Sequence, residues 1–477
     1  MTLNILKLFG SKKNSNPVHL YNTFTRKKEV FSSIKKGKVG LYTCGPTVYG
    51  YPHLGNIRTY IFEDILKRVL SYNGYDVKHV MNITDVGHLT NDRDMGEDKI
   101  EKEAKKEGKT AWEIADFYTK VFKEDLKKIN VIYPDIFCKA TDNIKEQIEM
   151  IQKLEYKDFT YKTSDGIYFD TSKVADYSKL SHQKLEDLKE GARIEINEEK
   201  KNHTDFALWK FSLKDSKREM EWPSPWGVGF PGWHIECSAM SVKYLGEQFD
   251  IHCGAVDAIN IHHTNEIAQT ESATGKKPWV NFWMHGGFVN MSGGRKMSKS
   301  AGDNVTLSST FVEKGISPLV YRFATLFTHY RKPMEWSDDI TISATNGFEN
   351  LYAKISNLGD VIGKVNLEWK NKFITAINDD LNMSQALAVL NEMLKSSILN
   401  SDKLATALDF DKVFGLKLND AIKTKFTIPT EVKKLVDERE KARKEKNWAK
   451  SDELRDKIMG LGYEIKDTSS GQQITKK

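Results

Sequence analysis

The stretch that most restricts the fold is Leu41-Tyr42-Thr43-Cys44-Gly45-Pro46-Thr47-Val48-Tyr49-Gly50-Tyr51-Pro52-His53-Leu54-Gly55-Asn56-Ile57-Arg58. It grows out of a short apolar run, Val39 to Thr43, that reads as a buried strand. Gly45-Pro46 breaks that run. Ile57, Ile61, Ile65 and Val69 then recur at helical spacing. A strand, a glycine-bearing turn and a helix N-terminus are thus laid end to end. A helix start presents free N–H groups and a partial positive charge, which suits a phosphate. Cys44, at the strand's C-terminal end, adds a thiol able to hold a metal or act as a nucleophile.

After the Asn73-Gly74 turn, Val77 to Ile83 forms a second strand pattern. Strand, helix and strand at this spacing make a βαβ unit, so a parallel sheet is expected. Lys99 to Lys128 is helical and highly charged, with a solvated face. Residues 129–205 mix short strand-like pieces, such as Gly166 to Asp170, with charged helical runs, and read as an insertion. The sheet pattern resumes with Phe249 to Gly254 and Trp283 to Val289. Past Ile342 no strand pattern recurs; Leu351, Ile355 and Leu358 mark amphipathic helices. Glu431 to Lys446 and Ala449 to Met459 form a helical hairpin stopped by Gly460 and Gly462, and the polar tail from Thr468 is expected to be loose. The fold class is therefore α/β: a Rossmann-type parallel-sheet domain with an insertion, followed by an all-α C-terminal region. The expected segments are 1–128, first half of the sheet domain; 129–205, insertion; 206–341, second half; 342–420, helical bundle; and 421–477, helical hairpin and tail.

The chain's 477 residues can bury a large core, and its net charge of +6 permits a polyanionic partner without requiring one. Four cysteines, Cys44, Cys138, Cys237 and Cys253, are too few and scattered for a disulfide framework. They suit a reducing compartment. No signal-peptide pattern and no apolar run near the ~20 residues that span a bilayer is present. A cytoplasmic protein without a membrane partner is expected.

Candidate metal donors are Cys44, Cys237, Cys253, His234, His252, His262, His263 and Glu266. His262 and Glu266 stand four apart on a predicted helix, so both side chains leave one face. Spacing alone leaves a metal site and a set of buried, satisfied thiols and imidazoles equally open. Lys296-Met297-Ser298-Lys299-Ser300 follows Gly293-Gly294. Lysines on a glycine loop can reach nucleotide phosphates, although surface lysines are more often simply solvated.

These stretches together resemble the cysteinyl-tRNA synthetase family, a class I aminoacyl-tRNA synthetase, over nearly the whole chain. His53-Leu54-Gly55-Asn56 is similar to the class signature His-Ile-Gly-His, and Lys296 to Ser300 matches the second signature letter for letter. Thr43 to Tyr49, Asn82 to Asp85, Gly232 to Ser238 and His262 to Gln269 resemble the stretches particular to cysteine. The resemblance implies one zinc ion on Cys44, Cys237, His262 and Glu266. It implies His53, Asn56, Lys296 and Lys299 as catalytic residues, and ATP contacts from His53, Gly55, Asn56 and Lys299. Thr47, Thr84, Trp233 and Asp257 are implied to line the amino-acid pocket. The implied partners are ATP with Mg2+, L-cysteine and tRNA(Cys); the implied enzyme is a monomer. Basic C-terminal residues, Lys441, Arg443, Lys444, Lys446 and Lys450, would meet tRNA phosphates. Three places depart from the pattern. Asn56 replaces the second signature histidine, Cys253-Gly254-Ala255-Val256 replaces a glycine-rich turn, and Gln472-Gln473-Ile474 stands where relatives carry an aromatic. Two rival readings, a cysteine ligase acting on an amino-sugar and a non-enzymatic tRNA-binding protein, fit the C-terminal helices and the two signatures less well.

Overall fold

A computed structural model describes residues 16–87, 98–182, 198–212, 218–291, 293–295, 297, 305–423, 430–468 and 471–476. The chain divides into two compact units, residues up to 418 and residues 419–477.

The first unit is built on five parallel strands. They are β1 (Lys38–Thr43), β2 (Asp76–Ile83), β3 (Ile136–Lys139), β4 (Phe249–Ala255) and β5 (Val280–Gly286). Their spatial order is β5-β4-β1-β2-β3, with Leu41 of β1 in register with Ile251 on one side and His79 on the other. The chain runs outward from β1 through β2 and β3, then returns to lay β4 on β1's other edge. β1 and β4 therefore flank the point where strand order reverses, whose C-terminal crevice is where open α/β sheets take ligands. The strands are buried almost throughout, as strands covered on both faces must be.

Helix α1 (Leu54–Tyr72) follows β1 directly. It is anchored through buried Arg58, which donates to the carbonyls of Phe288 (2.7 Å) and Lys332 (2.7 Å). Farther along α1, buried Asp64 accepts from Arg68 (2.7 Å) and Arg322 (2.5 Å). Arg322 also reaches the Phe414 carbonyl (2.6 Å), which ties α1 to the helix Asn400–Phe414. Between β2 and β3 lie α2 (Lys99–Glu107) and α3 (Ala111–Lys128). The insertion is a four-stranded antiparallel sheet, Thr160–Lys162, Gly166–Phe169, Phe206–Phe211 and Gly229–Pro231, whose last strand leads into α4 (Trp233–Leu245). After β4 a one-turn π-helix, Ile259–His263, runs into α5 (Thr264–Thr274).

In the second unit, helices Thr430–Lys444 and Trp448–Gly460 match the expected hairpin. The expectation that no strand recurs past Ile342 fails there: Tyr463–Thr468 and Gly471–Lys476 pair antiparallel, and the tail is not loose. The physical reason lies in two isoleucines. Ile465 is in register with Ile474, and Ile465 is buried with Val432, Val436 and Ile458. One apolar residue per strand suffices once helices supply the rest of the core, but it leaves little period to read.

Candidate active site and metal centre

Gly45 makes the turn after β1 possible. A Cβ there would stand 1.8 Å from the Asn82 carbonyl oxygen, so only glycine lets the chain cross β2 so closely. The Gly45 amide also donates to Asn82 Oδ1 (2.8 Å). Thr47 then bridges Thr84 at the end of β2. The Thr84 hydroxyl accepts from Asn82 Nδ2 (3.0 Å) and donates to buried Glu236 (3.0 Å), which leaves one lone pair for a further donor.

His53 is the N-cap of α1. Its Nδ1 accepts from the Asn56 amide (3.1 Å), and Asn56 Oδ1 accepts from the His53 amide (3.2 Å), a reciprocal capping box. An imidazole accepting at Nδ1 carries its proton at Nε2 when neutral, so His53 keeps an Nε2–H donor. Asn56, its oxygen occupied, has its amide Nδ2 to offer. The first turn of α1 contains no acidic residue, so nothing there opposes an anion.

A cavity of about 540 Å³ opens between these elements. Its walls include Cys44, Thr47, His53, Gly55, Asn56, Thr84, Trp233, Cys237, Asp257 and His262, so the expected residues from four separate stretches meet in one place. Glu266 lies fully buried behind His262. Met297, between the two signature lysines, is buried on the same wall. Lys296 and Lys299 themselves lie outside the described residues.

At one end of the cavity, ligand atoms of Cys44, His262, His263 and Glu266 all lie within 4.8 Å of one another. Cys44 Sγ is 3.3 Å from His263 Nε2, and His262 Nε2 is 2.9 Å from Glu266 Oε1. That oxygen is buried without a hydrogen-bond partner: the imidazole is close but off the line of a bond. Such an orphaned acceptor facing nitrogen and sulfur donors fits a cation among them. Cys237, expected as a ligand, is buried and lines the same cavity but is not among these four; His263 stands there instead, because the turn after β4 brings its ring to Cys44. The two thiols share one proton's worth of charge: Cys44 holds Cys237 below the ordinary thiol value against the burial that opposes it, while Cys237 and burial push Cys44 well up. Burial alone would raise the Glu266 carboxyl; the facing His252 and His262 outweigh it and hold the group at about 2. Burial would lower His262, but Glu266 and Cys237 bring it to about 10. The group gathers a thiol, two imidazoles and a carboxylate, with a second thiol close by. A divalent cation suits that set because these donors bind it in their deprotonated forms.

A ring of histidines, not expected in these roles, orients the cluster. His252 Nε2 donates to Glu266 Oε2 (3.0 Å), and His234 Nδ1 meets His262 Nδ1 (3.0 Å), leaving Nε2 for the cluster. His263 Nδ1 meets His285 Nε2 (2.7 Å), and the other nitrogen of that ring, His285 Nδ1, meets Thr23 Oγ1 (2.8 Å). Such outer partners fix ring orientation and tautomer around a metal. The available signal was their place: His252 sits mid-strand in β4 and His285 near the C-terminal end of adjoining β5. Gly254 gives His263 its room, since a Cβ there would stand 2.7 Å from the imidazole. Cys253, a rival donor by sequence, is buried in β4 and is not part of the cluster. The ring of Trp233 stacks on His262 (4.6 Å between centroids), so a pocket wall and the cluster are in direct contact.

Solved structures share this fold. Methionyl-tRNA synthetase of Mycobacterium tuberculosis bound by methionyl-adenylate matches with a TM-score of 0.57 and 15% identity, over 83% of this chain and 95% of that one. A LeuRS–tRNA–LeuAMS complex of Agrobacterium radiobacter matches at 0.55 and 12% identity, over 82% and 85%. A family-model match makes this fold, with its His-x-Gly helix start at the switch point, that of a class I aminoacyl-tRNA synthetase. Residues 30–346 match the family described as tRNA synthetases class I (C) catalytic domain, and residues 427–474 match the cysteinyl-tRNA ligase anticodon binding domain. Cysteine–tRNA ligase 1 of Burkholderia lata is 46% identical over 96% of this chain and 97% of its own length. Cysteine–tRNA ligase of Treponema denticola is 45% identical over 96% and 99%. The chain belongs to the cysteinyl-tRNA synthetase family.

Proposed function

We propose that the cavity joins L-cysteine to ATP and then to the 3′-terminal ribose of tRNA(Cys), with one zinc ion held by Cys44, Cys237, His262 and Glu266 selecting the substrate's sulfur. The observation that carries this reading is the placement of a thiol–imidazole–carboxylate cluster at one end of a cavity whose other wall is an acid-free helix start. When bound, zinc offers a soft position that a thiolate fills far better than a serine hydroxyl, which shape alone would separate by only about two orders of magnitude.

The chain's own residues then act by position. The substrate carboxylate is already a nucleophile at neutral pH, so no protein nucleophile is needed. It attacks the α-phosphorus of ATP, held with Mg2+, and pyrophosphate leaves. His53 Nε2–H, Asn56 Nδ2, the backbone at Gly55 and the helix start hold the phosphates. Lys296 and Lys299 neutralise charge growing on the leaving pyrophosphate. Thr47, Thr84, Trp233 and Asp257 orient the amino acid, with Asp257 and the Thr84 lone pair toward its ammonium. A ribose hydroxyl of tRNA then attacks the adenylate carbonyl, releasing AMP and a proton. Residues 1–128 and 206–341 make the catalytic domain, 129–205 its insertion, and 342–420 and 421–477 the tRNA-binding region.

Cysteine-dependent ATP–pyrophosphate exchange, measured beside tRNA charging, tests the activity. Both are expected; exchange without charging points to another cysteine acceptor, and no exchange overturns the reading. Absorption spectroscopy of the zinc-loaded protein tests selection. An added sulfur neighbour is expected with cysteine and none with serine. An unchanged spectrum with cysteine removes the selectivity account.

A further inference from the structure

At the mouth of the cavity an aromatic surface stays open to solvent. Tyr51 lies between cavity-lining Gly50 and Pro52 and is 47% exposed, although its ring meets Tyr118 (5.3 Å) and Phe117 (6.4 Å) edge-on. Phe117 is 39% exposed, whereas its neighbour Tyr118 is only 5% exposed. Tyr118 meets the packing need of α3; Tyr51 and Phe117 leave apolar ring surface in water that simple packing does not require. None of the three ring pairs is stacked face to face. One cation borders the surface and another lines the cavity. Lys109 Nζ lies 5.0 Å from the Phe117 centroid, with its charge shared by Glu107 (2.7 Å). Lys99, on the cavity wall, lies 5.8 Å from the Tyr49 centroid and has no acidic partner among the described residues.

We propose that Tyr51 and Phe117 form a stacking platform for the unpaired 3′ end of the tRNA, with Lys99 and Lys109 meeting its phosphates. The proposal rests on the aminoacyl-transfer reading above. That reaction requires a terminal ribose to enter a cavity of about 540 Å³, which a duplex cannot do. The last nucleotides must therefore cross the mouth single-stranded. Unpaired bases expose π-faces, and open aromatic rings beside lysines are the usual means of holding them without reading their sequence. The surface adjoins the cavity where Gly50 and Pro52, which flank Tyr51, line it, and Lys109 beside Phe117 with Lys99 on the cavity wall suits a phosphate backbone.

The test compares affinity of the full-length enzyme for intact tRNA(Cys) and for the same tRNA trimmed of its unpaired 3′ end. Replacing both rings (Tyr51→Ala with Phe117→Ala) is expected to weaken binding of intact tRNA, and raise its KM in charging, about tenfold. Binding of the trimmed tRNA and cysteine-dependent exchange should be unchanged. Tyr51→Phe and Phe117→Tyr keep the faces and should bind as the parent does. Phe117→Leu keeps apolar volume without the face and should lose part of the affinity at an unaltered thermal midpoint, which separates stacking from packing. Equal losses for both RNAs overturn the proposal, as does unchanged affinity for both, the result expected if the surface meets another protein. Absence of exchange in the parent enzyme would instead overturn the activity reading.

Discussion

His79 shows how one residue of the sheet couples stability to pH. Its ring is buried in β2, Nε2 meets Thr43 Oγ1 (2.9 Å), and Nδ1 has no hydrogen-bond partner. Burial, reinforced by Lys67, lowers its pKa to about 3. The unfolded chain therefore takes up a proton near the ordinary value of about 6.5 while the native state stays neutral. A depressed histidine contributes stability above 6.5 and withdraws it as pH falls toward 3. Between pH 7.5 and 5 the withdrawal amounts to ~2 kcal/mol. Urea unfolding at the two pH values should show a loss smaller by about that amount in His79→Gln. An equal loss in both proteins would mean that His79 does not carry this dependence.

At the scale of elements, the start of α1 combines a stability device with a binding one, and two substitutions separate them. Asn56→Ala removes the side-chain half of the capping box that satisfies the His53 amide, which should cost about 1 kcal/mol in thermal or denaturant unfolding. It also removes the Nδ2 donor, so the KM for ATP in the exchange reaction should rise. Asn56→Asp keeps an acceptor for the His53 amide and places a carboxylate at a helix N-terminus, where it is tolerated. Its stability should match the parent within ~0.5 kcal/mol, while its charge faces the triphosphate and should raise the KM for ATP tenfold or more. If Asn56→Asp bound ATP normally, the helix start would not be the phosphate site.

The same scale shows what the sequence made legible. The β1–turn–α1 unit was readable because a buried strand, a Gly-Pro break and a helical apolar period follow one another without interruption. The roles proposed for the zinc and pocket residues, drawn from stretches up to about 220 positions apart, were readable only through family resemblance, and the fold brings these residues to the cavity and the donor cluster at its end. The orienting histidines were not readable in their roles. His252 reaches Glu266, and His285 reaches His263, because β4 and β5 lie side by side. That adjacency is a property of strand order, which periodicity does not encode. Most of the antiparallel insertion sheet was missed for a similar reason: Gly166–Phe169 pairs with Phe206–Phe211 across a long separation.

For the whole molecule, the match to the catalytic domain and the match to the anticodon binding domain fall on different units. Every described residue assigned to cysteine, ATP or zinc belongs to the unit ending at 418. The unit from 419 onward has its own core, Val432, Val436, Ile458 and Ile465, and carries the match to the anticodon binding domain. Its Arg439 is buried and clamps Asp467 with paired hydrogen bonds (2.9 and 3.0 Å), which joins the first helix to the terminal hairpin. Adenylate formation needs only cysteine, ATP and the first unit's cavity. A chain ending at Leu418 should therefore retain cysteine-dependent exchange within a few-fold of the full protein. Its tRNA affinity should fall, with charging efficiency at least tenfold lower, because the phosphate contacts of the missing helices are gone. Raising the salt concentration should weaken tRNA binding less steeply in the shortened chain, since fewer counterions are released per complex. Loss of exchange in a folded 1–418 chain would show that the terminal unit acts on the catalytic cavity itself, and the division of labour would have to be abandoned.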